Sequence, residues 1–510
     1  MTKTDVVIAG AGPNGLMLAC ELALAGVRPV VLDRLRAPTD EPKANGLVGQ
    51  VIRQLEMRGL HQACGGEAGP PRPVPGWMFS AMPMNFVEVA DNPMHALMLQ
   101  QPRLVKLLLA RAGDLGVDVR WGHGVTGVSP TSAGATVAVE SSDGPYDLYA
   151  TYLVAADGGR SLIRKSLGID FPGSTSDTVS RLAHVKLPDD LRAEDGTYVI
   201  PGYGPLPFGH TRLGNGGLIA AQFQPGRLLL GTIEFGRTDG MDDVPMTLDE
   251  LRESAQRVVG VDVPIEAPTG PGPHALRRID GQNSRQASTY REGNVLLLGD
   301  AAHVHSAMGG PGLNLGLQDA VNLGWKLAAE VKGSAPDGLL DTYDSERRPV
   351  GERVMMQSLS QTALMAPGPE IDALRQLFGE LTELPAVREH MAHLLAGSDV
   401  RYPVGDSHPL SGHLAPELSL DDGTRLAELL HRARPVLLDL SGGGFAASAG
   451  AWADRVDLVT GGSADTTVAA LLVRPDGYVA WATDSLDGPG LPEALARWFG
   501  PPDPRRPHAC

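Results

Sequence analysis

Cysteine, aromatic residues and positive charge are all scarce in this chain of 510 residues. Its 3 cysteines, Cys20, Cys64 and Cys510, lie far apart, so they form neither a disulfide framework nor a zinc-binding spacing, and we expect no metal ion. The 43 Lys and Arg residues are outnumbered by 60 Asp and Glu residues. Because nucleic acid requires a basic surface, this excess of negative charge argues against DNA or RNA as a partner.

Long apolar runs are also absent. No stretch approaches the ~18 residues that a membrane-spanning helix requires, so we expect no membrane partner. The first residues do not show the charged segment, apolar core and cleavage site of an export signal, which indicates a cytoplasmic protein. With 42 % hydrophobic residues the composition is that of an ordinary globular protein, and the length predicts about two to four domains.

A glycine-rich motif follows the first strand-like run, residues 5–9, and opens a helix-like run. In this GAGPNG segment Gly10 permits a tight turn, Gly12 allows a phosphate to approach the backbone, and Gly15 allows close packing of helix and strand. A second strand-like run ends at Asp33, a suitable acceptor for ribose hydroxyls. This order of elements predicts a dinucleotide site rather than a structural turn, and it leaves NAD and FAD both open.

Two further strand-like runs end in Gly and Asp. Residues 152–156 are followed by Asp157-Gly158, and residues 294–298 by Gly299-Asp300. A glycine-rich segment, 309–314, then opens a long helix, residues 315–331. One such pair alone could be an ordinary turn. Three acidic strand ends in one chain predict hydrogen bonds to a ribityl or ribose chain, and the helix start predicts backbone donors for a flavin ring.

These motifs resemble the group A flavoprotein monooxygenases of the para-hydroxybenzoate hydroxylase type, in the polyketide hydroxylase-like subgroup, over most of the chain. GAGPNG with Asp33 is similar to the adenosine fingerprint of that family, Asp157-Gly158 to its DG motif, and Gly299-Asp300 to its GD motif. The resemblance implies non-covalent FAD, with NADPH or NADH as a transient reductant and O2 as co-substrate. The cofactor-binding residues that it implies are Gly10, Gly12, Pro13, Asn14, Gly15, Asp33, Arg34, Lys43, Gln101, Val125, Asp157, Gly158, Asp300, Gly312, Leu313 and Asn314.

The sequence departs from the family pattern at two places. Lys43 stands where an Arg is common, and Gln50 stands where a second guanidinium is expected; a glutamine amide cannot replace that fork. In the GD segment, Ser306-Ala307 replaces a proline pair. We expect this change to loosen the wall beside the flavin ring.

The segment from about residue 176 to 275 changes to short alternating runs between Gly and Pro turns, which indicates an antiparallel sheet. In the resembled family such a sheet covers the flavin and the substrate lies between them. Candidate substrate contacts are Phe208, His210, Phe223, Phe235 and His305, the last expected to be exposed; each is also compatible with ordinary packing.

After a helical stretch, 374–395, and a linker, strands and helices alternate again and include a Pro475-Asp476-Gly477 hairpin signal. This part resembles a thioredoxin-like domain without its Cys-x-x-Cys motif, so thiol redox chemistry is excluded. We expect it to serve packing or dimerisation, in a monomer or homodimer.

The predicted fold class is therefore α/β. It comprises a Rossmann-like FAD-binding domain of the glutathione-reductase type (1–175 and 276–395), an inserted antiparallel β-sheet substrate domain (176–275) and a thioredoxin-like C-terminal α/β domain (396–510).

The resemblance implies an FAD-dependent, NAD(P)H-consuming hydroxylase that acts on a large polycyclic aromatic, polyketide-type small molecule of antibiotic biosynthesis, through a flavin C4a-hydroperoxide. No catalytic side chain is nominated, because the flavin carries the chemistry. A Baeyer–Villiger oxygenation of a polycyclic ketone or quinone on the same fold remains open. An NAD-dependent dehydrogenase and a non-enzymatic flavin-binding scaffold are disfavoured by the DG and GD motifs.

Overall fold

The computed structural model of the protein describes residues 2–224, 226–237, 240, 244–270, 272–306 and 308–502. The strands of the first part are β1 (Thr2–Ala9), β2 (Val30–Asp33), β3 (Leu47–Val48), β4 (Gly76–Phe79), β5 (Met82–Asn85), β6 (Ala96–Leu97), β7 (Asp118–Trp121), β8 (Gly124–Thr131), β9 (Gly134–Glu140) and β10 (Tyr146–Ala155). Its helices are α1 (Pro13–Leu24), α2 (Gln50–Glu56), α3 (Gln101–Asp114) and α4 (Leu162–Ser166).

The middle and later parts add the remaining elements. The middle strands are β11 (Gly173–Thr175), β12 (Thr178–Val185), β13 (Val199–Ile200), β14 (Gly204–Pro205), β15 (Gly209–Leu213), β16 (Gly216–Gln224), β17 (Arg227–Phe235) and β18 (Arg277–Asp280), with helix α5 (Leu248–Val259). Then follow β19 (Asn283–Gln286), β20 (Arg291–Glu292), β21 (Val295–Leu297), β22 (His303–Val304), α6 (Pro311–Val331), α7 (Thr342–Met365), α8 (Pro369–Thr382) and α9 (Pro385–Ala396). The last elements are α10 (Leu426–Leu429), β23 (Val436–Asp439), α11 (Ala446–Ala449), β24 (Asp457–Thr460), β25 (Ala470–Val473), β26 (Val479–Thr483) and α12 (Leu491–Phe499).

The largest sheet carries the three acidic strand ends. Its order is β20-β21-β10-β1-β2-β7, in which β21, β10, β1, β2 and β7 run parallel to one another. The apolar residues of β1 are buried because α1 and α6 pack against the sheet. Strand β21 joins this sheet only after the middle segment, so in chain order the middle segment lies between two strands of the large sheet.

The middle segment forms a five-stranded antiparallel sheet of order β15-β16-β17-β12-β18. Strand β18 pairs with β12 from Arg277 to Asp280, so this sheet extends beyond the predicted limit at residue 275. Side chains alternate between its two faces. Leu218, Ala220 and Leu230 pack against α5 on one face, which leaves Ile219, Ala221, Phe223, Ile233 and Phe235 on the face opposite α5.

The C-terminal part forms a four-stranded sheet of order β24-β23-β25-β26, with β23 and β24 parallel and the other pairs antiparallel. The predicted hairpin around Asp476 is the connection between β25 and β26. The predicted helical stretch 374–395 is two helices, because Pro385 ends the run of α8 and begins α9. Within the described ranges, no helix combines the length and the apolar character needed to cross a membrane.

Candidate functional site

The three acidic strand ends lie at one edge of the large sheet. Strands β21, β10, β1 and β2 are parallel neighbours in that order, so the ends of β2, β10 and β21 that carry Asp33, Asp157 and Asp300 lie at the same edge. The N–H of Ala156 donates to the carbonyl of Ala9 at 2.8 Å, and the N–H of Leu298 donates to that of Ala155 at 2.8 Å. The segments that begin at Gly10, Asp157 and Gly299 therefore leave the sheet from adjacent positions.

The three glycines of the first motif have different surroundings. Gly10 has φ +116°, and a Cβ atom there would lie 2.2 Å from the carbonyl oxygen of Ala156. A Cβ atom on Gly15 would lie 2.0 Å from the carbonyl oxygen of Gly10. A Cβ atom on Gly12 would meet nothing within 4 Å. Gly10 and Gly15 are thus required by backbone packing, whereas Gly12 faces open space that a phosphate group can enter.

The residues after Gly12 open α1 and reach across to the GD segment. Pro13 is the first residue of the helix, and no side chain caps its N-terminus, so backbone N–H groups remain available for an anion. The Asn14 amide lies against Gly299 and Gly316, since a Cβ atom on either would be 2.2 Å from its Nδ2 atom. Its Oδ1 atom is buried and has no partner among the described residues. Asn14 therefore joins the first fingerprint to the GD segment.

Asp33 stands at the end of β2, beside β8. Its Oδ2 atom accepts from the N–H of Ala11 at 2.8 Å, and its Oδ1 atom accepts from the N–H of Leu35 at 2.8 Å. Each oxygen keeps a second lone pair for a hydroxyl donor. Arg34 lies next to the strand that carries Val125, because a Cβ atom on Gly124 would be 3.3 Å from its Cβ atom. The structure thus brings Asp33, Arg34 and Val125 together.

Asp157 has a structural role as well as a free oxygen atom. Its Oδ2 atom accepts from the N–H groups of residues 162 and 163 at 2.9 and 3.3 Å and so caps α4. Its Oδ1 atom is buried and has no partner among the described residues. Gly158 faces open space. Arg164 stacks on Phe171, 3.7 Å from the ring centroid, and donates to the carbonyl of Ala301 at 2.8 Å, so the DG and GD segments are joined.

Asp300 lies on a short 3-10 turn, Gly299–Ala301, and is an exposed residue. The surrounding protein raises the pKa of Asp300, and the charges of His303 and Lys43 oppose that rise. The structure therefore places Lys43 close enough to Asp300 for the two charges to interact. An ionised Asp300 is a suitable acceptor for hydroxyl groups of a bound ligand.

The start of α6 presents backbone donors. Gly310 has φ +65°, Pro311 follows, and no side chain caps the helix, so the N–H groups of Gly312 and Leu313 are available. Asn314 is used within the protein, because its Oδ1 atom accepts from the N–H of Val48 at 3.1 Å and its Nδ2 atom donates to the carbonyl of Gly310 at 3.0 Å. The Asn314 side chain thus fastens the loop and leaves the backbone to meet a ligand.

Gln101 contacts the segment that follows Lys43, whereas Gln50 lines a separate cavity. Gln101 begins α3, and its N–H donates to the carbonyl of Ala44 at 2.9 Å. Gln50 is buried and lines a cavity of about 520 Å³ together with His393 and Asp399. Its Oε1 atom has no partner among the described residues.

Two expectations about the GD segment are wrong. Ser306 does not loosen the wall, because its buried hydroxyl donates to Gln282, whose Nε2 atom donates to Ser180 of the middle sheet at 2.9 Å. Its neighbour Ala307 lies outside the described residues. His305 is not exposed, since both ring nitrogens are buried and have no partner among the described residues. This burial lowers the pKa of His305 to about 3.

The four other substrate candidates have different surroundings. Phe235 packs with Met308 of the GD segment and Met365 of α7. Phe223 belongs to a small apolar cluster on the same face of the sheet. His210 pairs across from Ile219, and burial lowers the pKa of its imidazole. Phe208 is 73 % exposed and belongs to no described apolar cluster, so the structure does not bring it together with the other candidates.

The tip of the β4–β5 hairpin adds to the apolar cluster around Met308 and Phe235, which the sequence did not indicate. Ser80 and Ala81 have φ of 52° and 61°, a left-handed conformation that is strained for residues other than glycine. Ser80 donates to the carbonyl of Gln361 at 2.8 Å, and Arg375 donates to the carbonyl of Ser80 at 2.7 Å. Ala81 packs against the cluster that contains Met308. A Ser-Ala turn carries no hairpin signal, so only the structure reveals it.

Comparison with known proteins agrees with this geometry. Residues 3–358 match the family model "FAD binding domain", and residues 408–502 match "Aromatic-ring hydroxylase, C-terminal". The chain is 42 % identical over 517 residues to a 12-dehydrotetracycline 5-monooxygenase/anhydrotetracycline 6-monooxygenase of Streptomyces rimosus, covering 98 % of this chain and 99 % of that one.

Solved structures give the same result. An anhydrotetracycline hydroxylase from Streptomyces rimosus superimposes with a TM-score of 0.86 at 40 % identity, covering 98 % of this chain and 100 % of that one. An aromatic hydroxylase from angucycline biosynthesis superimposes with a TM-score of 0.87 at 36 % identity, over 98 % and 100 % of the two chains. The glycine-lined cradle, the acidic strand ends and the two family matches together identify the chain as a member of the group A flavoprotein monooxygenases, the FAD-dependent aromatic-ring hydroxylases.

Proposed function

We propose that the protein uses FAD, NAD(P)H and O2 to hydroxylate a large polycyclic aromatic substrate of the polyketide type. The observation that carries the proposal is the apolar wall that joins Phe235 of the middle sheet to Met308 of the GD segment. This wall stands next to the start of α6, where backbone donors face open space. The names of the relatives above, which refer to tetracycline and angucycline chemistry, support a multi-ring substrate.

The residues present fit FAD. Two helices of 12 and 21 residues, α1 and α6, begin without capping side chains, and Gly12 and Gly312 have nothing within 4 Å of an added Cβ atom. We propose that Gly12, Pro13 and Asn14 hold the pyrophosphate, with Lys43 as a nearby cation. Asp33, Arg34 and Val125 would hold the adenosine, and Asp300 the ribityl chain.

When bound, FAD supplies the electron transfer from NAD(P)H and the activation of O2 that closed-shell aromatic compounds require. The protein supplies position and a dry wall. The N–H groups of Gly312 and Leu313 would polarise the carbonyl edge of the ring system, and Phe235 with Met308 would exclude water from the reacting side. We propose His210, Phe223 and His305 as further substrate contacts. The Gln101 side chain and the second oxygen of Asp157 would complete the cofactor site with Gly158.

We further propose the finer division of the fold that the sequence suggested. The FAD-binding domain would be of the glutathione-reductase type and comprise residues 1–175 and 276–395, with residues 176–275 as the substrate domain, whose sheet takes in Arg277–Asp280 as its edge strand. Residues 396–510 would be thioredoxin-like, which the mixed β24-β23-β25-β26 sheet supports. The cytoplasmic location, and the choice between monomer and homodimer, stay predictions of the sequence.

The function is tested by separating the two half-reactions. The purified, FAD-reconstituted protein is reduced anaerobically with NADPH or NADH in the presence of polycyclic phenols and quinones, and then mixed with 18O-labelled O2. We expect a product heavier by one labelled oxygen atom that is a phenol. A lactone or ester would instead support the Baeyer–Villiger alternative, which no relative named above suggests. A protein that stays colourless after reconstitution would overturn the proposal.

The substrate wall is tested by two matched substitutions. Phe235→Ala should raise the KM for the aromatic substrate and increase the peroxide released per NADPH, because the wall next to Met308 loses its ring. Phe208→Ala removes the same ring from a position that is 73 % exposed, so it should change neither quantity. Equal effects of the two substitutions would contradict the assignment of the wall.

A further inference from the structure

A line of buried side chains leads from the C-terminal part of the chain toward the GD segment. It begins at Arg474, in the connection between β25 and β26, whose guanidinium lies 4.5 Å from the ring centroid of Trp498 and 5.3 Å from that of Tyr402. The rings of Tyr402 and Tyr478 are 4.2 Å apart. Tyr402 therefore packs against both Arg474 and Tyr478, whose guanidinium and ring are themselves 5.9 Å apart.

The line continues through three more side chains. Nη1 of Arg347 donates to the Tyr402 hydroxyl at 2.8 Å, and Nε of Arg347 donates to Oδ1 of Asp319 at 2.7 Å. Oδ2 of Asp319 lies 2.6 Å from Nε2 of His303. Tyr402, Arg347, Asp319 and His303 are between 0 % and 3 % exposed. No water can substitute for a lost partner at these positions without a rearrangement of the core.

The charges in this line fix the proton on His303. Burial would raise the pKa of Asp319, but Arg347 and His303 keep that pKa below its usual value, so Asp319 is an ionised acceptor. The short contact with an ionised Asp319 then requires that Nε2 of His303 carries a proton and donates it to Oδ2. Nδ1 is buried and has no partner among the described residues. For a neutral imidazole, the contact with Asp319 favours the tautomer with the proton on Nε2.

His303 stands three positions after Asp300 in the same segment. The two neighbouring backbone carbonyls are also tied down, since that of Ala301 accepts from Arg164 and that of Ala302 accepts from the N–H of Ala287. We propose that Tyr402, Arg347 and Asp319 form a positioning relay, through which the C-terminal part of the chain fixes His303 and thereby the segment that holds FAD. The proposal rests on the assignment of Asp300 to FAD made above, and it gives the C-terminal part a role beyond packing.

The first test removes only the hydroxyl group at the start of the relay. Tyr402→Phe leaves the ring packed against Arg474 and Tyr478 and takes away the acceptor of Arg347. We expect the Kd for FAD, measured by flavin fluorescence titration of the apoprotein, to rise about 2- to 30-fold, the range for side chains that couple distant sites. Trp452→Phe is the matched control, because it also removes one buried hydrogen bond, from Trp452 Nε1 to the carbonyl of Gly500 at 2.8 Å. The control should leave the Kd unchanged.

The second test observes the tautomer itself. In apoprotein labelled with 15N-histidine, the His303 signals, assigned by their loss in His303→Gln, should show a proton on Nε2. Asp319→Asn, which replaces the anionic acceptor by a neutral amide, should shift His303 away from that tautomer and raise the Kd further. A purely structural relay would change unfolding temperatures and leave both the tautomer and the Kd unaltered.

The outcomes separate this proposal from the site assignment. A wild-type Kd in Tyr402→Phe, together with an unchanged His303 tautomer in Asp319→Asn, would overturn the relay. Asp300→Ala is titrated in parallel: if that variant alone binds FAD normally, the assignment of Asp300 fails, whereas the tautomer measurement still decides whether Asp319 controls His303.

Discussion

A buried cluster of four charges joins α6 and α7 to the β25–β26 connection, and we expect it to make Glu346→Gln strongly destabilising. Glu346 accepts from two nitrogens of Arg474 at 2.7 and 2.8 Å and from Nζ of Lys326 at 2.7 Å. Asp476 is the second anion, and the four side chains are between 0 % and 3 % exposed. Burial would raise the pKa of Glu346, but Arg474 and Lys326 hold it at about 2.

The magnitude follows from the charge count. In the wild type two anions balance two cations. Glu346→Gln leaves two cations against Asp476 alone, an uncompensated buried charge, which costs about 3–5 kcal/mol of unfolding free energy. Lys326→Met alone leaves an uncompensated anion and should cost a similar amount. The double variant is neutral again and fills the space of the lysine stem with an apolar chain, so we expect it to be more stable than Glu346→Gln alone.

The assay is urea unfolding of the four proteins of this double-mutant cycle, followed by tryptophan fluorescence. Trp325 and Trp498 report locally, because the Arg474 guanidinium lies 5.3 and 4.5 Å from their ring centroids. The coupling energy should be favourable by at least about 1 kcal/mol. If the double variant loses as much stability as the two single variants combined, charge balance does not hold this junction and the reasoning is refuted.

Four further changes test the cofactor loop, the GD segment and the hairpin tip. Gly12→Val should fold normally, because an added Cβ atom meets nothing within 4 Å, yet retain no FAD; normal flavin absorbance after gel filtration would contradict the loop assignment. Asp300→Ala should weaken FAD binding by about 1.5–3 kcal/mol, because a ribityl hydroxyl loses a charged acceptor, and an unchanged fluorescence titration would refute that role. Acid should destabilise the wild-type apoprotein by up to about 1.4 kcal/mol for each pH unit from 6.5 down to 3, because His305 binds a proton more readily in the unfolded chain. In a plot of the urea unfolding midpoint against pH, His305→Gln should flatten this part of the curve. An unaltered slope would count against a neutral buried imidazole. Ala81→Gly should relieve backbone strain and raise the thermal unfolding midpoint. The control is Ala447→Gly in helix α11, which should lower the midpoint because glycine destabilises a helix. A lower midpoint in both variants would show that the hairpin tip is not strained.

The sequence predicted the parts of the fold that depend on local pattern. The apolar run that ends at Ala9, the glycines that follow it and the run that ends at Leu297 each determine their strand and turn without reference to the rest of the chain. The predicted ends of helices and strands are less accurate where tertiary packing determines them. Helix α6 starts at Pro311 rather than residue 315, because a proline can occupy the first turn of a helix, where its missing N–H is not needed.

Contacts between distant segments could not be predicted. Nothing local to Ser306 indicates that its hydroxyl donates to Gln282, so the sequence alone predicts a loss of rigidity where serine replaces proline. The burial of His305 depends likewise on which elements surround the GD segment. The residues of the relay, such as Asp319 and Arg347, lie in segments that the resemblance already covered, but their roles follow from atomic distances alone.

The insertion of the middle sheet has a consequence for biosynthesis of the protein. Strand β10 ends at Ala155, and its parallel neighbour β21 begins only at Val295. Strand β9 pairs with β10 only from Tyr146 to Ala150, so a nascent chain that has left the ribosome as far as the middle sheet leaves the apolar end of β10, Leu153 to Ala155, unpaired on that side. Such an edge is a hazard for aggregation. Added riboflavin cannot correct this early state, because Asp300, which we propose binds FAD, has not yet been translated. We expect overexpressed material to aggregate during synthesis, and slower translation to improve the yield of yellow protein more than added riboflavin does.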